Sequence, residues 1–189
     1  MKVLVACEYS GTVRDAFTAK GHYAISCDIL PTESEGPHYQ GDVMDIINDG
    51  WDLMIAHPPC THLAVSGARW FHLKEKEQAE SLDFVRSLMN AKIEKICIEN
   101  PVSVISSRIR KPEQIIQPWQ FGHEAQKTTC LWLKNLEPLQ HTKIVGKGDF
   151  VTFKSGKRHP AWYSKNWGNG KARSMFWSGI AQAMADQWG

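Results

Sequence analysis

Short apolar runs recur along the first half of the chain, and each has the length of a single strand. Between them lie stretches whose apolar residues recur at helical spacing. Because strands that alternate with helices form parallel sheets with helices on both faces, the pattern predicts an α/β fold. The predicted strands are 2–7, 22–29, 52–57 and 94–101, and the predicted helices are 10–21, with Ser10 as N-cap, and 73–91.

The remaining stretches are shorter or less regular. Residues 30–41 have the composition of a loop that hides a short strand, and 42–49 suggest a short helix. Farther on, 126–135 contain a strand, and 141–171 are Gly-rich, aromatic and basic, which is typical of a hairpin with loops. The chain closes with a predicted helix over 172–188.

Polar residues follow the ends of the predicted strands. Glu8 and Ser10 come after the first strand, and Asp28 ends the second. Cys60 follows the third strand, and Glu99 lies at the end of the fourth. The carboxyl ends of parallel strands meet at one edge of a sheet, and ligands of such sheets bind there. We therefore expect these residues to border one site.

An acid at the end of the second strand, past a Gly-containing first turn, is well placed to accept hydrogen bonds from a ribose. Asp28 occupies that position. The first turn lacks GxGxxG and the chain lacks GxxxxGK[ST], so dinucleotide and phosphate binding are disfavoured. A nucleoside cofactor without a pyrophosphate fits better, and S-adenosylmethionine is the common one. The alternative is that Asp28 caps a helix or is a solvated loop acid.

Composition is that of an ordinary globular chain. The 189 residues are 42% hydrophobic and 22% charged, with a formal net charge of +2. This length suits one domain, so residues 1–189 are predicted to form a single catalytic domain. No apolar run approaches the about 20 residues of a membrane span, so we expect a cytoplasmic protein that does not bind membranes.

Five cysteines, an odd number without CxxC spacing, disfavour a disulfide framework and a structural zinc site. Cys60 stands apart because Pro58 and Pro59 stiffen the chain directly before it. His57 and His62 flank this turn, but their spacing matches no structural zinc pattern and no fourth ligand is near. We therefore predict no metal. The inert alternative is that Cys60 is an ordinary loop thiol.

Several motifs, taken in chain order, resemble those of the cytosine-C5 DNA methyltransferases, particularly small phage-type members. "PPC" (58–60) resembles the Pro-Cys catalytic loop, and "ENP" (99–101) resembles the Glu-Asn-Val segment. "QKTTCLWL" (126–133) resembles a reduced Gln-x-Arg-x-Arg strand. "ACEYSGTVRDAF" (6–17) resembles the cofactor loop, although the family usually has Phe-x-Gly-x-Gly there.

Further matches concern the cofactor. "CDI" (27–29) resembles the ribose-binding turn, "GDV" (41–43) the next cofactor motif, and 173–189 the closing cofactor-side helix. The resemblance implies a Rossmann-like class I S-adenosylmethionine-dependent methyltransferase fold, with a mainly parallel sheet and helices on both faces. The cofactor-binding residues implied are Glu8, Ser10, Gly11, Asp28, Ile29, Asp42, Pro58 and Ser174.

The chemistry implied is methyl transfer to C5 of cytosine. This carbon is a poor nucleophile until a thiolate adds to C6, which is the role expected of Cys60. Glu99 would hydrogen-bond N3 and the exocyclic amine, stabilising the charge that thiol addition creates. Asn100 would brace the two loops. Lys127, where the family usually has arginine, would help bind the base or a phosphate without arginine's bidentate fork.

Family members that recognise duplex sequence carry a large recognition region, for which only about 40 residues (134–171) remain here. We expect this basic segment to contact DNA phosphates and few base edges, giving little sequence specificity on duplex or single-stranded DNA. Trp162 and Trp167 are its candidate base-stacking residues. The alternative is a solvated loop. The cations are Lys134, Lys143, Lys147, Lys154, Lys157, Arg158, Lys165 and Lys171.

Three other functions stay open. A free cytidine nucleotide would need neither base flipping nor a recognition region. Amino-methyltransferases carry Asp, Asn or Ser before two prolines and an aromatic after them, whereas "HPPC" (57–60) shares only the prolines. A decayed methyltransferase fold that only binds is the third alternative. For an active enzyme, the resemblance places the protein in a bacterial or phage-infected host cell.

Overall fold

The computed structural model describes residues 1–166 and 168–189. Trp167, predicted to stack on bases, lies outside the described residues, and the side chains of Lys171 and Arg173 are not described. The described residues form a seven-stranded sheet and a separate two-stranded hairpin. The strands are β1 (Lys2–Ala6), β2 (Tyr23–Asp28), β3 (His38–Gln40), β4 (Leu53–Ala56), β5 (Lys95–Pro101), β6 (Gln114–Ile116), β7 (Thr129–Lys134), β8 (Phe150–Thr152) and β9 (Arg158–Pro160).

Helices and 3-10 segments connect these strands. The 3-10 segments are Val43–Asp45, Val65–Leu73 and Pro118–Gln120. No helix in the described ranges is long and apolar enough to cross a membrane. The α-helices are α1 (Thr12–Ala19), α2 (Glu75–Met89), α3 (Ile105–Arg108), α4 (Ala161–Lys165), α5 (Gly170–Ser174) and α6 (Ser178–Trp188).

The sheet has the order β3-β2-β1-β4-β5-β7-β6. Strand β1 pairs in parallel with both β2 and β4. The strands before and after this point are therefore added in opposite directions along the sheet, so the strand order reverses between β1 and β4. Strand β7 runs antiparallel between β5 and β6. The prediction of a Rossmann-like α/β fold with a mainly parallel sheet is confirmed, and this reversal point is where such sheets open a crevice for ligands.

Side chains of the central strands alternate between two apolar cores. Val3 and Val5 of β1 face α1 and α6, and Phe17 of α1 is fully buried in the same core. Leu4 and Ala6 face the opposite side, where α2 packs. Strands buried on both faces read as continuous apolar runs, which is why the sequence pattern located β1, β4 and β5.

Most of the predicted elements extend one or two residues beyond the observed ones, and three of the differences have a cause in the backbone geometry. Strand β1 stops before Cys7, whose φ of 58° is outside the strand region. Ser10 is not the N-cap of α1, because the chain first turns at Gly11, whose φ is 75° and whose geometry favours glycine. The closing helix begins at Ser178 rather than at 172, and Met175 before it is extended.

Candidate active site

One cavity of about 1630 Å³ opens at the carboxyl ends of β1, β2, β4 and β5. Every predicted site residue lines it except Gly11. That glycine is shielded, because a side chain there would collide with Ser34 and Arg14. The lining residues predicted from the sequence are Glu8, Ser10, Asp28, Ile29, Asp42, Pro58, Cys60, Glu99, Asn100, Lys127 and Ser174.

Glu8 closes the amino end of α1. Its buried carboxylate accepts hydrogen bonds from the backbone N–H groups of Val13 (2.7 Å) and Arg14 (3.2 Å). The hydroxyl of Ser10 donates to the same carboxylate at 3.2 Å. A carboxylate at a helix N-terminus satisfies donors that have no partner within the helix. Glu8 therefore holds the turn between β1 and α1 in shape and performs the capping that the sequence assigned to Ser10.

Arg14 joins α1 to β2 and to the loop after β2, a role that sequence reasoning missed. Its guanidinium is fully buried and donates to Ser26, Thr32, Ser34 and the carbonyl of Glu35. These partners lie on β2 and in the loop after it. No sequence signal pointed to this role, because a single arginine in a short helix is typical of a solvated surface. Its network fixes the loop after Asp28 against the loop after β1.

Asp28 ends β2, and Asp42 follows β3 in the same wall of the cavity. One oxygen of Asp28 accepts from the backbone N–H of Leu30 at 2.9 Å, and one oxygen of Asp42 accepts from Met44 at 2.9 Å. In the described part of the chain the second oxygen of each has no hydrogen-bond partner from the protein. Both carboxylates therefore have an acceptor left for hydroxyl or amino groups of a nucleoside, which fits S-adenosylmethionine.

The turn that carries Cys60 is held by its backbone on both sides. The Asn100 side-chain amide donates to the carbonyl of Pro58 at 2.8 Å, which joins the end of β5 to the end of β4. After the turn, the N–H groups of Leu63 and Ala64 donate to the carbonyl of Cys60 at 3.0 and 2.9 Å. Asn100 thus lies where it braces the two loops, and the exposed Cys60 faces the cavity at a fixed position.

The other cysteines are poor nucleophiles. Burial, assisted by the charges of Asp28 and other nearby groups, raises the pKa of the Cys7 and Cys27 thiols to about 12. Burial and the charge of Glu99 raise the pKa of Cys130 to about 11 and that of Cys97 well above its usual value. With pKa values this high, these four thiols stay protonated near neutral pH. They are therefore unreactive, because the thiolate is the nucleophilic form.

Iodoacetamide at pH 8 is therefore expected to alkylate Cys60 and no other cysteine of the folded protein. Peptide mass spectrometry after a short pulse checks this. Cys60→Ser should abolish labelling of the native protein, whereas unfolding in urea should expose the remaining cysteines to the reagent. Labelling of Cys7 or Cys27 at a rate comparable to that of Cys60 would contradict the expectation.

Glu99 is paired with His57. The Nδ1 atom of His57 lies 3.1 Å from Oε2 of Glu99, and the two side chains are 13% and 11% exposed. Burial raises the pKa of Glu99, but the hydrogen bond from His57 and the charges of His57 and Lys127 outweigh it, so the pKa lies below its usual value. Lys127 also donates to the carbonyl of Met175 at 3.3 Å. The sequence had suggested His57 only as a metal ligand.

No cluster of three or more His, Cys, Asp or Glu side chains that could hold a metal ion occurs within 1–166 and 168–189.

Part of the cavity wall is formed by aromatic side chains. Trp70 is half exposed, and the guanidinium of Arg69 lies 4.9 Å from its ring centre. Trp162 also lines the cavity, and its ring packs against that of Trp177 with ring centres 5.3 Å apart. Flat rings at a cavity mouth offer stacking surfaces for a base.

The basic segment 134–171 contains the hairpin β8–β9, as predicted. It carries eight cations against only two acids, although acids outnumber cations in the rest of the chain. One cation is wrongly assigned to DNA contact, because the ammonium of Lys134 donates to the carbonyls of Ala91 and Ile93. By contrast Lys154 and Lys157 of the hairpin are exposed. Because His159 and Pro160 of the hairpin line the cavity, the exposed cations of the hairpin lie near it.

Comparison with known proteins gives little further guidance. No family model matches the chain, and no curated protein matches it. Among solved structures, the chain is similar to a crystal structure of a candidate DNA modification methyltransferase encoded within a prophage (E. coli). The TM-score is 0.47 at 13% identity, over 89% of this chain and 64% of that one. This chain thus spans less than two thirds of that structure, and the fold assignment rests on the sheet topology given above.

Proposed function

We propose that this protein is an S-adenosylmethionine-dependent methyltransferase that acts on C5 of cytosine, with DNA as the substrate and little sequence specificity. The observation that carries the proposal is that a single cavity holds three features at the strand ends. These are the acidic edge with Asp28 and Asp42, the rigid turn with Cys60, and the buried carboxyl of Glu99. Bound at the acidic edge, the cofactor would supply an electrophilic methyl group.

The protein's own residues would activate the base. The thiolate of Cys60 adds to C6, which makes C5 nucleophilic. Glu99 hydrogen-bonds N3 and the exocyclic amine, and so stabilises the charge that develops on the ring. After methyl transfer, the C5 proton would pass to solvent water and the C6–sulfur bond would break, which releases the thiolate and restores the aromatic ring. Asn100 keeps the thiol at a fixed angle through its bond to the Pro58 carbonyl.

The arrangement supports C5 over the exocyclic amine. An amino-methyltransferase needs an acceptor before the two prolines to take a hydrogen bond from the target amine. His57 stands there, and its Nδ1 is engaged by Glu99 while its Nε2 is buried. The residue after the prolines is Cys60, which provides no stacking surface. Both observations fit the thiol mechanism better.

DNA is favoured over a free nucleotide by the charge of the segment 134–171 and by the aromatic mouth of the cavity. A cytosine inside a duplex must be flipped out before Cys60 can reach C6. Phosphate contacts from the exposed hairpin would hold the strand, and Trp70 or Trp162 would stack on displaced bases. Few side chains remain for base edges, so recognition would rest mainly on charge.

Labelled S-adenosylmethionine, incubated separately with duplex DNA, single-stranded DNA and dCMP, tests this proposal. We expect label in DNA, transfer that falls about 10-fold or more between 50 and 200 mM salt, and 5-methylcytosine after digestion. Label in dCMP alone would identify a nucleotide methyltransferase, and N4-methylcytosine would identify an amino-methyltransferase. Cofactor binding without transfer to any substrate would favour a binding module. Label confined to one short duplex sequence would show that 134–171 recognises bases.

A further inference from the structure

We infer, on the basis of the proposed function, that the DNA substrate is single-stranded and that the unpaired strand is held on exposed aromatic rings, each with a cation at its face. We call the surface formed by these rings and cations the aromatic–cation surface. Its members are Trp70 with Arg69, Phe150 with Arg158, and Trp119 with Lys147.

In two of these pairs a large part of the ring is exposed. The guanidinium carbon of Arg69 lies 4.9 Å from the ring centre of Trp70, and that ring is half exposed. The guanidinium carbon of Arg158 lies 4.7 Å from the ring centre of Phe150, which is 41% exposed. A cation held beside such a ring is positioned to meet a phosphate while the exposed part of the ring stacks on the neighbouring base. Sites for unpaired strands are built from this combination of rings and positive charge.

The pairs continue from the cavity along the hairpin. Trp70 and Pro160 both line the cavity, and Pro160 pairs with Phe150 across the hairpin. Lys147 precedes Phe150 by three residues, which span at most about 11 Å of chain. The ammonium of Lys147 lies 5.1 Å from the ring centre of Trp119. A strand whose target base enters the cavity therefore meets these rings with its neighbouring nucleotides.

The cavity is larger than a cofactor and one base require. Its volume is about 1630 Å³, whereas a pocket for one small ligand measures about 300–1,000 Å³. Space for more of the strand remains beside a nucleoside cofactor and the target cytosine. His159, Trp162 and Tyr163 line the cavity as well, and the rings of His159 and Tyr163 are stacked on each other. Bases next to the target therefore find aromatic rings inside the cavity too.

Exposed rings of this kind favour an unpaired strand over a duplex. The bases of a duplex stack on one another, so their faces are closed to the protein, whereas an unpaired strand offers every base for stacking. A duplex cytosine must in addition be unstacked and unpaired before Cys60 reaches C6, and an unpaired cytosine needs the least of this free energy. Single-stranded DNA is therefore the form that both the surface and the chemistry accept with the least distortion.

Binding is tested first with a probe that contains no cytosine and therefore needs no chemistry. The probe is fluorescein-labelled oligo-dT of about 20 nucleotides, which exceeds the roughly 4–16 nucleotides that single-strand folds cover. It is titrated with the protein either alone or annealed to oligo-dA, without cofactor. We expect fluorescence anisotropy to give a Kd at least about 10-fold lower for the single strand than for the duplex.

Trp70→Ala and Phe150→Ala test the aromatic–cation surface itself. Each should weaken binding of the single strand by about fivefold or more, because a stacking ring is lost. Each should leave duplex binding within about twofold, since that binding rests on charge. Trp70→Phe retains a ring and should recover most of the affinity. Thermal unfolding checks that the variants fold.

Tyr23→Ala is the matched control. Tyr23 is an aromatic side chain that is 56% exposed, but it begins β2 and so lies at the end of that strand away from the cavity. Its removal should leave the affinity for both probes unchanged. Weaker single-strand binding in Tyr23→Ala equal to that in Trp70→Ala would show that any exposed ring contributes, and the inference would fail.

Methyl transfer is then measured on the same oligo-dT strand with one thymine replaced by cytosine, alone and annealed to its complement. The target and its neighbours are identical in the two substrates, so the comparison isolates pairing. We expect kcat/KM to be at least about 10-fold higher for the single strand, because no base pair has to be opened.

The outcomes separate the two proposals. If the duplex is bound as tightly as the single strand or methylated as fast, the inference fails and the proposed function stands. A single-strand preference that persists unchanged in Trp70→Ala and Phe150→Ala also overturns it. Tighter binding of oligo-U, with faster methylation of the corresponding RNA, would identify RNA as the substrate instead. If wild type transfers no methyl group to either form of DNA, the proposed function fails, and the assignment of its substrate fails with it.

Discussion

Cys60→Ser is expected to lower the rate of methyl transfer by at least about 10³-fold while leaving the fold and cofactor binding intact. The serine hydroxyl is not ionised near neutral pH and cannot replace the thiolate as the nucleophile. The substitution costs little packing, because Cys60 is exposed and its turn is held through backbone groups and Asn100. Single-turnover assays with saturating labelled cofactor measure the change.

The matched control is Cys7→Ser. This cysteine lines the same cavity, but burial raises the pKa of its thiol to about 12, so it is no nucleophile at neutral pH. Its serine variant should retain methyl transfer within about fivefold. Comparable losses in both variants would mean that the cavity tolerates no polar substitution, and retained activity in Cys60→Ser would exclude the thiol mechanism.

Glu99→Gln is expected to reduce the rate by about 100- to 1,000-fold without loss of cofactor affinity. The amide fills the same volume and can still hydrogen-bond, but it cannot share a proton with N3. The loss should therefore appear in kcat. Calorimetric titration with S-adenosylhomocysteine, together with thermal unfolding, establishes that the site and fold persist.

Glu8→Gln is the matched control, because Glu8 is the other buried glutamate of the cavity and lies at its cofactor edge. Its carboxylate accepts from two backbone amides, and the glutamine can satisfy both with one oxygen only. We expect weaker cofactor binding with a smaller effect on the chemical step. A Glu99→Gln enzyme within tenfold of wild type would show that the acid lies elsewhere.

The sequence was sufficient to predict the parallel half of the sheet, because strands buried on both faces leave long apolar runs. It also predicted which residues would share the cavity, since the strand order alone brings the ends of β1, β2, β4 and β5 to one edge. The sequence did not predict that β7 would run antiparallel between β5 and β6. Strand β6 is three residues long and is recognisable only by its pairing with β7. Local pattern carries no information on such pairing.

Contacts between side chains that are distant in the sequence could not be predicted from the sequence either. His57 and Glu99 meet across 42 positions, and only the parallel pairing of β4 with β5 brings them together. Arg14 resembled any solvated helical cation until the loop after β2 folded over it. A buried polar side chain needs hydrogen-bond partners, and in both cases these partners come from distant parts of the chain. The sequence alone does not show which distant residues will supply them.

The most direct test of the thiol mechanism is the intact mass of the protein after incubation with S-adenosylmethionine and DNA that contains 5-fluorocytosine. Fluorine at C5 blocks the final elimination, so the Cys60 adduct at C6 should accumulate. We expect the protein mass to increase by that of the methylated DNA strand in wild type and to stay unchanged in Cys60→Ser. Wild-type enzyme that methylates normal DNA but forms no adduct, or an adduct that persists in Cys60→Ser, would contradict the role assigned to Cys60.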